Sequence, residues 1–350
     1  MSSSLDRLFV FIMAGGSGER FWPVSRTATP KHLVKILGDQ TLLEQTVRRF
    51  EGLIPNERIF ILTNIAQLEA TKAVIPFLPA GNIIAEPAKR DTAPAAALAT
   101  AIARSNREDA VVALFPADAM IHDTATFRTQ LAEAASYVAA HPSILTFSIT
   151  PTLPATGFGY LELEEGAASK TGIVSVHRFV EKPDEPKARS FLEGGRHGWN
   201  AGMFLWQAKT FLGECRMHQP ALEKFILEFP KKEIESYLAK EFPTLPKISV
   251  DYAIMERAAN VVALIAKFDW DDVGSWTALP THLGKDEQGN TLRGPVITIE
   301  SGRNIVISGK TVALCGVSDL VVVETDDAIL VCHRDAVQKI KDLPLPSELR

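Results

Sequence analysis

The sequence predicts an α/β protein, with a mostly parallel sheet covered by helices on both faces and a small all-β domain at the carboxyl end. Three observations carry this expectation. Short, continuous apolar runs alternate with helical patterns through the first two-thirds of the chain. A glycine-rich turn follows the first of those runs. Near Pro280 the texture changes to brief apolar segments separated by Gly, Ser, Asp and Asn.

Leu8 to Ala14 is apolar at every position and ends in Gly15-Gly16, the pattern of a strand buried on both faces. Arg58–Thr63, Asn82–Ala85, Ala110–Phe115 and Ile144–Ile149 repeat it, with helical patterns around Leu42–Glu51, Ala66–Ile75, Pro94–Arg104 and Phe127–His141 between them. Alternation of this kind predicts parallel neighbours joined by crossover helices. Ligands then bind beyond the carboxyl ends of the strands, so the residues just after each strand matter most. From Gly294 onward, Val296–Ile299, Ile305–Ile307, Val312–Leu314, Leu320–Val323 and Ala328–Val331 recur every seven to nine residues, with no helix before about Asp335. This predicts a short β-helix or roll. The expected domains are residues 1–282 and 283–350. Nothing in the second points to chemistry, and its expected role is packing or subunit assembly, a homodimer being the assembly in view.

With 350 residues the chain has room for one large domain and an appendage, and its formal net charge of −5 argues against a nucleic-acid binder. Cys215, Cys315 and Cys332 are odd in number and fit no metal-ligand spacing, so buried thiols in a reducing compartment are expected. The first residues lack a basic segment followed by an apolar one, and no apolar run reaches bilayer length. A cytoplasmic protein with no membrane partner is the expectation.

Gly15, Gly16 and Gly18 lie in the turn after the first strand, followed by Arg20, Pro23, Ser25, Pro30 and Lys31. Closely spaced glycines let consecutive backbone amides approach a phosphate chain without Cβ clashes. Arg20 supplies a forked cation and Lys31 a point charge. A glycine turn alone would mean only a strand-to-helix joint; the two cations in the same segment favour phosphate. A dinucleotide fingerprint fails, because Phe21 stands where a third glycine belongs and Asn64 ends the second strand without an acid. No Walker A loop is present either.

The stretch Met13-Ala14-Gly15-Gly16-Ser17-Gly18-Glu19-Arg20-Phe21-Trp22-Pro23-Val24-Ser25, followed by Thr29-Pro30-Lys31, resembles the signature of nucleoside-diphosphate-sugar pyrophosphorylases. Within that superfamily it is most similar to the mannose-1-phosphate guanylyltransferases. The resemblance covers residues 8 to about 280 and implies a Rossmann-like nucleotidyltransferase domain; the β appendage is consistent with it. Some relatives carry a further isomerase barrel, and too few residues follow Asp272 here to expect that activity.

Further segments fit the same family pattern. Glu86-Pro87-Ala88-Lys89-Arg90-Asp91-Thr92-Ala93-Pro94 reads as a loop with Asp91 or Thr92 capping a helix, and the resemblance adds that it lines the purine pocket. Phe115-Pro116-Ala117-Asp118 ends the fourth strand; Asp118 there suits Mg²⁺, which takes one or two carboxylates plus phosphate oxygens. The family usually has His next, where this chain has Ala119. In Asp269-Trp270-Asp271-Asp272-Val273-Gly274, the resemblance gives the second metal carboxylate to Asp272, with Asp269 and Asp271 solvent-facing or capping; a slip of one position would shift that role.

For the sugar, the resemblance implies a closing loop at Gly157-Phe158-Gly159-Tyr160. Hydroxyl recognition falls to Glu181 and Asn200, and contact with the sugar phosphate to Lys182. Asp251 reads either as a sugar ligand or as a cap of the helix after it.

The implied reaction couples GTP to mannose 1-phosphate, giving GDP-mannose and pyrophosphate. The phosphate nucleophile is already anionic, so no general base and no Ser-His-Asp set is required. Mg²⁺ on Asp118 and Asp272 would bridge the two phosphates, and Arg20 and Lys31 would stabilise departing pyrophosphate. Two rivals remain: a pyrophosphorylase for another nucleotide and sugar, and a non-catalytic subunit sensing nucleotide sugars. The second would be expected to lose Arg20, Lys31 or a metal carboxylate, and all four are present.

Overall fold

The computed structural model describes residues 4–16, 18–164 and 172–349. Ser17 of the glycine-rich turn lies outside them. Among the described residues one large sheet contains β1 (Leu8–Met13), β2 (Ile59–Asn64), β3 (Ile83–Glu86), β4 (Val111–Pro116), β5 (Ile144–Ile149), β6 (Tyr160–Leu163), β7 (Ile173–Val180), β8 (His197–Gln207) and β9 (Val261–Ile265). Their spatial order is β3-β2-β1-β4-β8-β5-β9-β7-β6, and β8 also pairs with β6. The neighbours β3-β2-β1-β4 and β5-β9 are parallel, whereas β4-β8, β5-β8, β7-β9 and β6-β7 are antiparallel. Only β7 and β8 therefore run against the common direction, and the sheet is mostly parallel, as expected.

The uninterrupted apolar runs have a simple cause. In β1, Phe9 and Phe11 enter one core while Leu8, Val10 and Ile12 enter the other, so both faces of the strand are covered. The first face receives the alanine-rich helix α3 (Thr92–Asn106), whose small side chains allow close approach to the sheet. The opposite face receives Leu43 and Val47 of α1 (Leu42–Arg48) and Phe127 and Leu131 of α4 (Thr124–Ala140); α2 (Leu68–Val74) lies between α1 and α3 in the chain. Crossovers of this kind leave the carboxyl ends of β1, β4 and β9 on one edge, where the functional segments begin.

The C-terminal region forms β10 (Thr291–Arg293), β11 (Val296–Ile299), β12 (Ile305–Ile307), β13 (Val312–Cys315), β14 (Leu320–Glu324) and β15 (Ile329–His333). β10, β12 and β14 stack in parallel, as do β11 and β13, which is the build of a short β-helix. Buried Asn290 and Asn304 occupy equivalent corners: Asn304 Nδ2 donates to Asn290 Oδ1 at 3.1 Å, satisfying turns that leave the ladder. β10 escaped the sequence reading because three residues between Asn290 and Gly294 carry no periodicity. The chain after β15 forms short helical turns over Arg334–Asp342, which bury Val337 and Ile340 against Phe21, Trp22 and Trp276 of the first domain. The two regions thus share a core.

Candidate active site

The glycine-rich turn presents its amides. Asn64 donates to the Gly15 carbonyl, Gln67 to that of Gly16 at 3.2 Å, and Ser25 Oγ to that of Gly18 at 2.7 Å. The N–H groups of Gly15, Gly16 and Gly18 have no hydrogen-bond partner among the described residues. Carbonyls engaged and amides free is the polarity of an anion-binding concavity. A Cβ at Gly15 or Gly16 would meet nothing, whereas Gly18 has φ 62° and a Cβ there would press to 2.7 Å on the Lys31 backbone nitrogen.

Lys31 joins the segments that carry the two proposed metal ligands. Its Nζ lies 2.9 Å from Asp118 Oδ2 and donates to the carbonyls of Asp272 at 2.9 Å and Val273 at 3.0 Å. Asp118 and Asp272, more than 150 positions apart in the chain, both line one cavity. A β-bridge between Met120 and Asp271 laces their loops together, with N···O distances of 2.8 and 3.1 Å. Burial would raise the Asp118 carboxyl, but the Lys31 ammonium overcomes it and holds Asp118 below the ordinary carboxylate range. Asp272 shifts the other way: burial raises it, and Asp271 and Asp118 add to the rise against Lys31 and Arg20.

Asp269 and Asp271 have separate structural tasks. Asp269 accepts the backbone N–H groups of His122 and Asp123 at the entry to α4. Asp271 is not solvent-facing: half-buried, it accepts the Val273 N–H at 2.7 Å and contacts His282 at 3.2 Å. These bonds hold Val273 at φ 45°, a strained conformation for a β-branched residue.

The cavity that receives Asp118 and Asp272 measures about 370 Å³ and is also lined by Gly159, Glu181, Lys182, Asn200 and Asp251. A register shift between β5 and β8, beside Thr146 and Ser148, sets Asn200 at its rim. Asn200 Oδ1 accepts from Thr146 Oγ1 at 2.8 Å, and its Nδ2 donates to Asp251 Oδ1 at 3.2 Å. The Asp251 side chain therefore turns to Asn200 rather than capping the helical turn Asp251–Met255. Burial, with Glu181 nearby, pushes the Asp251 carboxyl up to about 7. Glu181 is nearly buried and pairs with the exposed Lys182 at 2.6 Å.

A second cavity, of about 250 Å³, shares Asp118 with the first and is also lined by Gly18, Arg20, Lys31 and Gly274. Among the described residues, Arg20 donates one hydrogen bond, to the Gly274 carbonyl at 3.4 Å. Glu86 and Pro87 line neither cavity; Glu86 pairs with Asn64 at the carboxyl ends of β3 and β2, and Asn64 is the residue that donates to the Gly15 carbonyl. Burial pushes the Glu86 carboxyl up to about 8. Asp91 caps α3 by accepting the Thr92 N–H, and Thr92 Oγ1 accepts the Val250 N–H, which ties this loop to Asp251.

A family model of nucleotidyl transferases matches residues 10–289, four-fifths of the chain. The chain belongs to the nucleotidyl transferase family. A second model, the MannoseP isomerase/GMP-like beta-helix domain, matches residues 294–343. Mannose-1-phosphate guanylyltransferase of Escherichia coli is 37% identical over 360 aligned positions, covering 96% of this chain and 72% of the relative. The xanthan biosynthesis protein XanB of Xanthomonas campestris is 36% identical over 338, covering 95% and 71%. A solved structure from Thermus thermophilus, described as mannose-1-phosphate geranyltransferase, superposes with a TM-score of 0.85 at 30% identity, covering 96% of this chain and 98% of its own. This nucleotidyltransferase thus sits among mannose-1-phosphate guanylyltransferases, as its signature segments imply.

Sequence reasoning gave no role to Trp270 or Lys341, which line the nucleotidyltransferase cavities. Trp270 meets Phe158 of the expected closing loop edge to face, 5.5 Å between centroids, and the two wall the larger cavity. Trp270 stands inside the acidic segment that was noted, so proximity to a motif was the available signal. Lys341 lines the smaller cavity from the C-terminal region, and no local pattern marks it. No helix among the described residues is long and apolar enough to cross a membrane.

Proposed function

We propose that the chain transfers a guanylyl group from GTP to α-D-mannose 1-phosphate, releasing pyrophosphate and contributing to GDP-mannose biosynthesis. The observation that carries this reading is the convergence of Asp118, Asp272, Lys31 and Arg20 beside the free amides of the glycine-rich turn, in a chain 37% identical to named guanylyltransferases. A phosphate oxygen of the sugar phosphate attacks the α-phosphorus of GTP. The bond from that phosphorus to the β-phosphate bridging oxygen breaks, and pyrophosphate leaves with the bonding pair. No proton need be removed from the nucleophile.

The turn amides and Arg20 would hold the triphosphate in line, while Lys31 adds its positive field from the smaller cavity, beside Asp118. Glu181, Asn200 and Asp251 would take sugar hydroxyls, with Lys182 toward the sugar phosphate. Glu86 and Pro87 would contribute to the base site on the β3 side.

The residues present fit Mg²⁺. Among the described residues no group of three or more His, Cys, Asp or Glu could hold a metal ion by itself. Mg²⁺ does not require one, since it binds through one or two carboxylates and substrate phosphates. Asp118 and Asp272 are that pair, and Asp272 is raised in part by its acidic neighbours, a repulsion a cation would relieve. The ion, when bound, neutralises charge developing on the phosphates. The free thiols Cys215, Cys315 and Cys332 suit the reducing cytoplasm.

The test is pyrophosphate release with Mg²⁺, crossing GTP, ATP, UTP and dTTP with mannose 1-phosphate and glucose 1-phosphate. GTP with mannose 1-phosphate should exceed every other pair. A different best pair would overturn the substrates, and no release from protein that binds nucleotide would overturn the reaction.

A further inference from the structure

The positive charges of the smaller cavity are not equally available. An ammonium has three N–H donors, and those of Lys31 have three acceptors at 2.9, 2.9 and 3.0 Å: Asp118, the Asp272 carbonyl and the Val273 carbonyl. Lys31 is also half of an ion pair, so much of its charge is already compensated by Asp118. Two other cations face the same cavity. Among the described residues, Arg20 uses one of its five donors, on Gly274. Lys341 is exposed and has neither an ion pair nor a side-chain hydrogen bond among the described residues. Glu19 lines the cavity as well, which makes uncompensated positive charge there more valuable to an anion.

Lys341 is held where it is. Its neighbour Ile340 and Val337, one turn earlier, are buried against Phe21, Trp22 and Trp276. Trp22 Nε1 donates to the Leu349 carbonyl at 3.0 Å. The segment therefore docks on the same turn that carries Arg20, and Lys341 overhangs the cavity from a braced backbone.

We propose that Lys341, contributed by the C-terminal region, binds the terminal phosphates of the nucleotide and the departing pyrophosphate together with Arg20. In this arrangement Lys31 acts as a positioning residue for the Asp118 and Asp272 loops. The proposal rests on the nucleotidyl transfer assigned to this site but not on the choice of base or sugar.

The experiment compares wild type, Lys341→Met and Lys341→Arg. Calorimetric titration with inorganic pyrophosphate reads binding directly. Steady-state kinetics in the pyrophosphorolysis direction separate the KM for pyrophosphate from the KM for the nucleotide sugar. Loss of one charge-assisted contact should weaken pyrophosphate binding, and raise its KM, about tenfold or more. The KM for GDP-mannose should stay within twofold, because that ligand lacks the terminal phosphates; Arg should restore most of the loss. Unchanged pyrophosphate affinity in Lys341→Met, an equal rise in both KM values, or a wild type that binds no pyrophosphate would overturn the proposal. If GDP-mannose proves not to be a substrate, the guanylyltransferase reading fails while the pyrophosphate titration still decides the role of Lys341.

Discussion

Gly159 and Glu181 approach so closely that no side chain fits between them: a Cβ on Gly159 would stand 2.6 Å from Glu181 Oε2 and 3.0 Å from the Phe179 ring. Phe179 is buried in the core and cannot yield, so the carboxylate must. Gly159→Ala should displace Glu181 by a few tenths of an ångström or more and lower kcat/KM for the sugar phosphate by about ten- to a hundredfold. Binding of nucleotide alone should stay near wild type. Titrating nucleotide and sugar phosphate separately checks this; equal weakening of both would mean that the residue serves the fold rather than the sugar site.

Asp272 and Asp269 stand three positions apart and should respond to substitution in opposite ways. Asp272→Asn removes a proposed metal carboxylate and should reduce kcat about a hundredfold or more. It also removes a partly buried charge beside Asp118 and Asp271, so the melting temperature should hold or rise. Asp269→Asn weakens the acceptor for the His122 and Asp123 N–H groups, at a cost of about 0.5–2 kcal/mol in stability, with kcat within a few-fold of wild type. Thermal melts and initial rates on both variants decide; loss of activity in Asp269→Asn with no loss of stability would reverse the assignment.

The sequence made the parallel core legible because β1 buries alternate residues into two cores, which forces apolar character at every position from Leu8 to Met13. The turn after it was legible from residue type alone. The pairing of Asp118 with Asp272 was only a requirement until the Met120–Asp271 bridge supplied its cause, since contacts between distant segments leave no local periodicity. Asp251 illustrates the same limit. An acid before a helical turn reads equally as a cap, and only the approach of Asn200 from β8 separates the two meanings. Lys341 was invisible for that reason: its turn looks amphipathic, and only docking on Trp22 turns it toward the phosphate loop.

Glu86 should make stability depend on pH. Its carboxyl is pushed up to about 8 from an ordinary 4.5 by burial. Below the ordinary value both folded and unfolded chains are protonated there. Between about 4.5 and 8 the unfolded chain gives up its proton while the folded one keeps it, so stability falls as pH rises through this window and levels off above it. One fully shifted proton would give about 1.4 kcal/mol per pH unit, and the partial exposure of Glu86 makes the observed slope smaller. Glu86→Gln should flatten that segment of the profile and be more stable than wild type at pH 8. Denaturant melts between pH 5 and 8 test it; identical slopes for the two proteins would remove Glu86 as the cause.

The shared core between the two regions should make the appendage matter to the chemistry. Ile340 is buried with Phe21 and Trp22, next to Arg20, whereas Leu314 is buried with Val306 and Val322 in a cluster that does not reach the turn. Either residue changed to Ala opens a cavity and should cost about 2–5 kcal/mol. Only Ile340→Ala should also loosen the turn that aims Arg20. Assayed well below both melting temperatures, Leu314→Ala should keep kcat near wild type, while Ile340→Ala should lose about tenfold or more, since small displacements of a phosphate donor are costly. Equal retention of kcat in both variants would mean that the appendage stabilises the chain without bracing its phosphate site.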